Sequence, residues 1–138
     1  ELAVVAYMTA SQKYPYSSWA EQAAFGRAHC WYLMSEERNN DEDAMEQAWT
    51  AVVYLLNNYP ESEFREIAEA YKKTLYRRRA EAAYHKAVFY DKIAKKQEAA
   101  LMSYQSFVKM FPGSEWKTLA EHRIDELSHS VEKTSDEK

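Results

Sequence analysis

The sequence predicts an all-α fold made of stacked helical hairpins. Only two Gly and three Pro occur among the 138 residues, whereas a β-sandwich or barrel needs a turn about every 8 to 12 residues. Between the prolines, apolar side chains recur at helical spacing. One motif also occurs three times, which is typical of a repeat architecture. These observations exclude most all-β folds.

The repeated motif is aromatic-Pro-x-Ser-x-aromatic-x-x-x-Ala, and each copy follows an alanine eleven residues earlier. The three copies, each with its preceding alanine, are Ala3 with Tyr14, Pro15, Ser17, Trp19 and Ala23; Ala48 with Tyr59, Pro60, Ser62, Phe64 and Ala68; and Ala100 with Phe111, Pro112, Ser114, Trp116 and Ala120.

Each copy predicts the end of one helix and the start of the next. The proline lacks an N–H and disfavours the α conformation in the residue before it, so the incoming helix ends at the aromatic. The serine hydroxyl can accept a hydrogen bond from a free N–H group of the new first turn. The second aromatic and the alanine four residues later share one helical face. A large side chain beside a small one lets neighbouring helices approach closely.

Six helices follow from this punctuation and from the spacing of apolar residues. Ala48, Val52, Leu55 and Tyr59 illustrate the helical period. The acidic residues 41–43 favour the start of a helix, since carboxylates are stabilised at a helix N-terminus. The expected helices are 2–13, 17–35, 42–58, 62–92, 95–110 and 114–129. Residues 1–129 would form the repeat domain and 130–138 a flexible charged tail.

The fourth helix is unusually long for this fold, and the sequence leaves open whether 62–92 forms one helix or two. It carries most of a basic segment: residues 72–96 hold nine Lys or Arg against Glu81 and Asp91, a net charge of +7 in a chain of net charge −4. Because successive helical residues point about 100° apart, these cations form a collar around the helix. We name as candidate partner-binding residues Lys72, Lys73, Arg77, Arg78, Arg79 and Lys86.

Two interpretations of the collar remain open. Long basic side chains often lay their stems over apolar surface, which is a structural role. Alternatively, the cations contact an acidic partner protein. A nucleic-acid partner is disfavoured by the negative net charge and the sequence pI of about 5.6. The twenty aromatic residues pose a similar choice between interlocking core packing and a groove that binds an extended peptide.

The sequence predicts no catalytic residue, no metal ligand and no cofactor. His122, Glu126 and His129 share a helical face, but a solvated face is the favoured interpretation. Cys30 and His29 are adjacent, so on a helix their side chains diverge and cannot act as nucleophile and base. Two glycines cannot build a phosphate-binding loop, and one cysteine cannot form an intramolecular disulfide.

Several of these residues resemble the tetratricopeptide repeat superfamily. Ala48 and Pro60, like Ala100 and Pro112, are twelve residues apart, as are two signature positions of that repeat, and Phe25-Gly26 looks like its Leu-Gly pair. The prolines here are 45 and 52 residues apart, longer than the standard period of about 34. We therefore expect insertions, one in the polar loop 35–43 and one that lengthens the helix beginning at Ser62.

More specifically, residues 44–127 resemble the C-terminal part of the BamD (YfiO) family of outer-membrane assembly lipoproteins. The resemblance lies in the Tyr59-Pro-Glu-Ser-Glu-Phe64 junction, in the Ala-rich stretch 78–90 and in the distance from there to Phe111-Pro112. It implies a tetratricopeptide-like superhelical stack and a non-catalytic scaffold at the periplasmic face of the outer membrane. The implied partners are the barrel-forming assembly subunit, other assembly lipoproteins and unfolded outer-membrane proteins. Lys109 keeps the family's charge pattern and joins the candidate partner-binding residues.

A different repeat adaptor is the alternative, either a periplasmic division coordinator or a cytosolic co-chaperone-type protein, which would place the chain in the cytoplasm. Cys30 lacks the small-residue context of a lipid-attachment site. Since the first residue is Glu1, we expect a processed chain or a fragment of a longer one, with any lipid anchor upstream. No apolar run approaches 18 residues, so no membrane-spanning helix is expected.

Overall fold

A computed structural model describes residues 1–13, 18–38 and 41–136. Over these ranges it contains helices and no strand, which confirms the all-α prediction. The elements are α1 (Leu2–Lys13), α2 (Ser18–Glu37), α3 (Glu42–Asn58), α4 (Arg65–Val88), a π-helical segment (Phe89–Ile93), α5 (Gln97–Met110) and α6 (Lys117–Asp136).

The chain divides into two compact units, Glu1–Tyr76 and Arg77–Lys138. The boundary falls inside α4, which is one continuous α-helix that passes directly into the π-helical segment. Residues 62–92 therefore do not contain two separate helices, because α4 and the π-helical segment form one uninterrupted helical stretch after the turn at Ser62.

The first unit has a core of small and branched residues in which α2 and α3 pack against the first part of α4. Alanines dominate it, which allows the helix backbones to approach closely. The core residues, all at most 2% exposed, are Ala24, Ala28, Ala48, Ala51, Val52, Leu55, Ala68 and Leu75.

The second unit combines alanines with larger side chains. Phe107 and Leu127 are about 1% exposed, and they belong to α5 and α6, which pack against each other. Other buried residues of this unit are Ala80, Ala87, Ala100, Tyr104, Phe111 and Ala120. The motif alanines Ala68 and Ala120 are therefore fully buried, one in each unit.

Helix boundaries differ from the predicted ones at several places, by up to seven residues. Helices α4 and α6 begin at Arg65 and Lys117, three residues after the serines where they were expected to begin. The cause is a tight turn at each serine, in which the N–H of Arg65 or Lys117 donates to the serine carbonyl. At the other end, α6 continues to Asp136, so the residues from Ser130 onward, expected to start a flexible tail, are helical as far as Asp136.

The acidic residues before α3 act as expected at the helix N-terminus. Asp41 is the N-cap, and its side chain accepts a hydrogen bond of 3.1 Å from the backbone N–H of Ala44. Glu42 and Asp43 lie in the first turn, where negative charge is stabilised by the helix dipole.

Candidate interaction surfaces

The second and third motif copies fold into the same junction. Tyr59 and Phe111 each end a helix with nearly equal backbone angles, φ −131° and ψ 63° for Tyr59, φ −127° and ψ 61° for Phe111. The N–H of the motif serine then donates to the carbonyl of that aromatic, at 3.0 Å for Ser62 and 3.1 Å for Ser114. The first copy, with Tyr14, Pro15 and Ser17, lies outside the described residues.

Each motif serine also closes the turn with its hydroxyl. The Ser62 Oγ accepts from the N–H of Phe64 at 3.0 Å, and the Ser114 Oγ accepts from the N–H of Trp116 at 3.2 Å. The serine hydroxyl was predicted to accept an N–H at the start of the new helix, and this is confirmed for both copies. The N–H donors belong to Phe64 and Trp116, one residue before each helix begins. In the same turns, the serine carbonyl accepts a hydrogen bond from the N–H of Arg65 or Lys117.

The first α-helical hydrogen bonds then run from the motif alanine to the motif aromatic. The N–H of Ala68 donates to the carbonyl of Phe64 at 2.9 Å, and the N–H of Ala120 donates to that of Trp116 at 3.0 Å. Thus the alanine both starts the helical ladder and fills the core. Pro60 and Pro112 are exposed, so their role is to end the incoming helix.

The motif aromatics pack on rings of an earlier helix. Phe64 stacks on Phe25 of α2, with ring centroids 4.2 Å apart and planes 5° from parallel. Trp116 stacks on Tyr84 of α4 at 6.0 Å and 16°. Each junction is therefore fixed to the first helix of the preceding hairpin by an aromatic contact.

In the first unit this contact extends into a ladder of rings. Phe25, His29 and Tyr32 lie on one face of α2, and Tyr32 stacks on Tyr71 of α4 at 3.9 Å. The Nδ1 of His29 lies 2.7 Å from the hydroxyl of Tyr71, at hydrogen-bonding distance. Burial raises the pKa of Tyr71, and the negative charge of Glu36 raises it further. These aromatics serve helix packing, which the sequence could not assign ring by ring.

The basic collar divides between the two units, and in the first unit Lys72 has a defined contact. Its Nζ lies 5.8 Å from the ring centroid of Trp49, a cation–π distance. Lys73 is exposed.

In the second unit the arginines of the collar make structural contacts. The Nε of Arg77 lies 3.7 Å from a carboxylate oxygen of Glu115, with both side chains exposed. The guanidinium of Arg79 lies over the ring of Phe111 at 5.5 Å. Arg78 is half-buried, whereas Lys86 is exposed. Part of the collar therefore has a structural role. The exposed residues of the collar are the ones available to bind a partner.

A buried ion pair that the sequence did not reveal lies where α4 passes into the π-helical segment. The side chain of Asp91 is 2% exposed. Its carboxylate accepts two hydrogen bonds from Arg123 of α6, at 2.7 Å from Nε and 2.8 Å from Nη2. A third comes from the hydroxyl of Tyr104 of α5 at 3.0 Å. One carboxylate thus joins three elements of the second unit.

The ionisation of these groups follows from their contacts. Hydrogen bonds from Arg123 hold the pKa of Asp91 below its ordinary range, and the Tyr104 hydroxyl adds to this against the opposing effect of burial. Burial and the bond to Asp91 raise the pKa of Tyr104. The hydrogen bonds to Asp91 and Glu126 raise that of Arg123.

An open cleft of about 270 Å³ adjoins the ion pair and is lined by Asp91, Lys92, Lys95, Gln97 and Arg123. Both Asp91 oxygens face donors, so this carboxylate is a structural anchor and is poorly placed to exchange protons with a substrate. The sequence offered one signal for it, an Asp at the end of a stretch that is apolar around most of the helix. Nothing in the sequence indicated its partner Arg123, which lies 32 residues further along the chain.

The outer face of α5 exposes two methionines next to a candidate lysine. Met102 is 70% and Met110 57% exposed. Lys109 is also exposed and lies two helical turns from Met102 on the same face. Unbranched, polarizable methionines adapt to varied partner surfaces. This face combines exposed apolar area with a positive charge at Lys109 and a negative charge at Glu98, which is exposed one turn before Met102.

Within residues 1–13, 18–38 and 41–136, no group of three or more His, Cys, Asp or Glu side chains could hold a metal ion. The Nδ1 of His122 lies 3.1 Å from a carboxylate oxygen of Glu126, on the exposed side of α6. None of the described helices has the length and hydropathy required to cross a bilayer.

No protein-family model matches the sequence, and no curated protein matches it with significant similarity.

Proposed function

We propose that the chain is a non-catalytic protein-binding scaffold built from tetratricopeptide-like helical repeats. The observation that carries this proposal is the outer face of α5, where Met102 and Lys109 are exposed on a helix whose other face is anchored by buried Tyr104 and Phe107. A rigid helix that presents apolar area beside a positive charge is suited to bind another polypeptide.

The repeated junctions support the scaffold interpretation. Two copies of the motif share their backbone angles, serine hydrogen bonds and aromatic stacking. Such units bury their apolar faces against their neighbours and leave their outer faces for partners.

In its finer form, the proposal is that the chain is a BamD-like component of the outer-membrane β-barrel assembly machinery, located at the periplasmic face of the outer membrane. The support is the resemblance of residues 44–127, including both described junctions. Its partners would be the barrel-forming assembly subunit, other assembly lipoproteins and unfolded outer-membrane proteins. Membrane association would depend on an upstream lipid anchor.

Two substitutions that place negative charges on the outer face of α5 test this proposal. We expect Met102→Glu with Lys109→Glu to weaken binding to the purified periplasmic domains of the barrel-forming subunit by about tenfold or more, measured by calorimetry. Thr118→Glu, which adds a charge at an exposed position of α6, is the matched control and should bind as the original chain does. Equal affinities for all three proteins would reject the α5 face.

The exposed lysines of the collar require a separate test. Lys73→Glu and Lys86→Glu avoid the arginines that contact Glu115 and Phe111. If the collar binds an acidic partner, each change should lower the affinity and reduce its dependence on salt. Unchanged affinity and salt dependence would leave the collar with only a structural role.

Co-purification of the full-length protein from its native cells tests the assignment to the assembly machinery. Recovery of the barrel-forming subunit with the membrane fraction is the expected result. Recovery of division proteins, or of cytosolic chaperones with the soluble fraction, would instead favour the alternative repeat adaptors.

A further inference from the structure

Phe89 and Ile93 form an exposed apolar pair on the π-helical segment of the second unit. Phe89 is 49% and Ile93 71% exposed, and residues four positions apart share one helical face. Asp91 lies midway between them and is held inside the unit by Arg123 and Tyr104. Because a residue two positions away on a helix points to roughly the opposite side, the anchored Asp91 turns both apolar side chains outward.

The chain around this pair is strongly basic. Residues 82–97 contain one acidic residue, Asp91, and its charge is compensated by Arg123. The same stretch contains four lysines, all of them exposed: Lys86, Lys92, Lys95 and Lys96. We call these lysines together with Phe89 and Ile93 the Phe89 face.

Two carboxylates of neighbouring elements reduce this positive charge without cancelling it. Glu126 of α6 accepts a hydrogen bond from Nη1 of Arg123 at 2.6 Å. Glu98 is exposed in the first turn of α5. The four lysines and Arg123 still outnumber Asp91, Glu98 and Glu126, so the Phe89 face attracts anions.

The backbone at Lys95 supports a use for its side chain. Lys95 has a φ of 53°, in the left-handed region that glycine adopts without steric cost and that other residues disfavour. The helix ends here, where the N–H of Lys96 donates to the carbonyl of Tyr90 at 2.9 Å, and glycine is the usual residue at such an end. The chain therefore keeps a lysine where glycine would be easier to accommodate, a local cost that is typical of functional surfaces.

An open cleft beside these lysines has room for an anionic group. Its volume is about 270 Å³, and its lining residues are Asp91, Lys92, Lys95, Gln97 and Arg123. Three of these five residues are cations, and the one carboxylate is already hydrogen-bonded. The cleft can thus receive a phosphate while the exposed apolar pair lies on the adjoining surface.

An anionic phospholipid bilayer is the occupant that uses both parts of the face. Surfaces that dock on membranes combine lysines, which contact the headgroups, with aromatic and aliphatic side chains, which enter the acyl boundary. A soluble phosphate would leave Phe89 and Ile93 in water. Arginine is the cation that matches a carboxylate in a bidentate pair, whereas lysine is a compact point charge, so a face with four lysines favours a diffuse negative surface over a specific acidic protein.

We propose that the Phe89 face docks on anionic phospholipid bilayers, with headgroup phosphates at Lys92 and Lys95 and with Phe89 and Ile93 in the acyl boundary. This inference goes beyond the proposed function and does not depend on it, because the outer face of α5 takes no part. Two apolar side chains and a few lysines give weak, reversible docking, which adds to a lipid anchor and does not replace one.

Flotation of vesicles with the full chain tests the proposal. Phosphatidylcholine vesicles with about 30% phosphatidylglycerol should bind the chain at least about tenfold more strongly than vesicles of phosphatidylcholine alone. Raising sodium chloride from about 0.05 to 0.5 M should weaken this binding, because salt screens exposed charges.

Lys95→Gly separates docking from folding. Glycine adopts the φ of Lys95 without steric cost, so the variant should unfold at the same or a higher temperature. Because one cation near the membrane surface is lost, its partition onto the anionic vesicles should fall about fivefold. Lys117→Gln neutralises a lysine at the other end of the α5–α6 hairpin and is the matched control, with unchanged binding expected.

The apolar pair has its own variant and control. Phe89→Ser with Ile93→Ser should lower partition about tenfold or more, because the apolar contact with the acyl boundary is lost. Leu119→Ser, at a position of α6 that is 60% exposed, removes a comparable apolar side chain elsewhere and should bind as the original chain does. Circular dichroism verifies that each variant remains helical.

Three results would overturn the inference. The first is equal binding to neutral and anionic vesicles. The second is a partition that neither Lys95→Gly nor the double serine variant changes. The third is complete displacement from the vesicles by about 10 mM inorganic phosphate, or by polyglutamate, at matched ionic strength, since the face would then hold a small anion or an acidic polypeptide.

Discussion

Asp91 shows how one residue can organise a whole unit of this protein. A carboxylate that is 2% exposed would be costly to bury without partners. Here Arg123 donates in a bidentate arrangement and Tyr104 provides a third hydrogen bond, so the charge is compensated. Breaking such a pair costs more than the pair contributes, because the remaining charge is left buried.

We expect Asp91→Asn to lower the free energy of unfolding of the second unit by about 2 to 3 kcal/mol, because Arg123 loses its buried anionic partner. The cost is moderated because Arg123 is 30% exposed and keeps its contact with Glu126. Urea denaturation followed by the circular dichroism signal measures this. Lys92→Gln is the control: Lys92 lies 3.8 Å from the same carboxylate but is 60% exposed, so its loss should cost about 0.5 kcal/mol or less. Similar costs for the two variants would show that the ion pair does not anchor the unit.

The contact of Tyr71 with His29 allows its hydroxyl to be separated from its ring. Tyr71→Phe keeps the stacking on Tyr32 and removes the 2.7 Å hydrogen bond, so we expect a loss of about 1 kcal/mol in the first unit. Tyr90→Phe is the control, because within the described residues the Tyr90 hydroxyl makes no hydrogen bond. A stability of Tyr71→Phe equal to that of the original chain would mean that the hydroxyl contributes nothing beyond the ring.

At the scale of the elements, the Pro-Ser junction sets where each helix ends and begins. Proline ends the incoming helix, the serine makes a tight turn, and the next helix starts three residues later. Because the two described junctions have nearly the same angles and hydrogen bonds, their serines should contribute similar free energies although they lie in different units.

We expect Ser62→Ala and Ser114→Ala each to destabilise their own unit by about 1 kcal/mol, as for loss of other N-terminal capping side chains. Hydrogen exchange of the first turns of α4 and α6 reports each junction separately. Ser106→Ala on the exposed face of α5 should change stability by no more than about 0.5 kcal/mol. A cost at one junction without a cost at the other would show that the two turns are not energetically equivalent.

At the scale of the whole molecule, the chain comprises two compact units divided within α4. Each has its own core, one rich in alanine and stacked rings, the other anchored by Asp91. The units therefore have different stabilising groups and should respond differently to conditions.

Lowering the pH should destabilise the second unit through Asp91. The pKa of Asp91 is lower in the folded state than the value of about 3.9 expected for the unfolded chain. Its contribution to stability is thus fully present above the unfolded pKa and is lost as the pH falls through the folded pKa. Hydrogen exchange at about pH 3 and pH 6 should show α5 and α6 losing protection, an effect that Asp91→Asn removes. Identical pH dependence in the variant would contradict this assignment.

The sequence was sufficient for the local features of this protein. Pro60 and Pro112 fix helix ends through the missing N–H, Ser62 and Ser114 fix the turns, and apolar spacing fixes the helix periods, all of which are interactions between residues close in the chain. The all-α class, six helices and the long fourth helix followed from these.

Only the tertiary structure decided which distant groups meet. Arg123 pairs with Asp91 across 32 residues, Tyr71 meets His29 across 42, and two collar arginines, Arg77 and Arg79, lie close to Glu115 and Phe111. Such pairings depend on how helices pack, and no local spacing encodes that, because side chains far apart in sequence are brought together by burial of the faces between them.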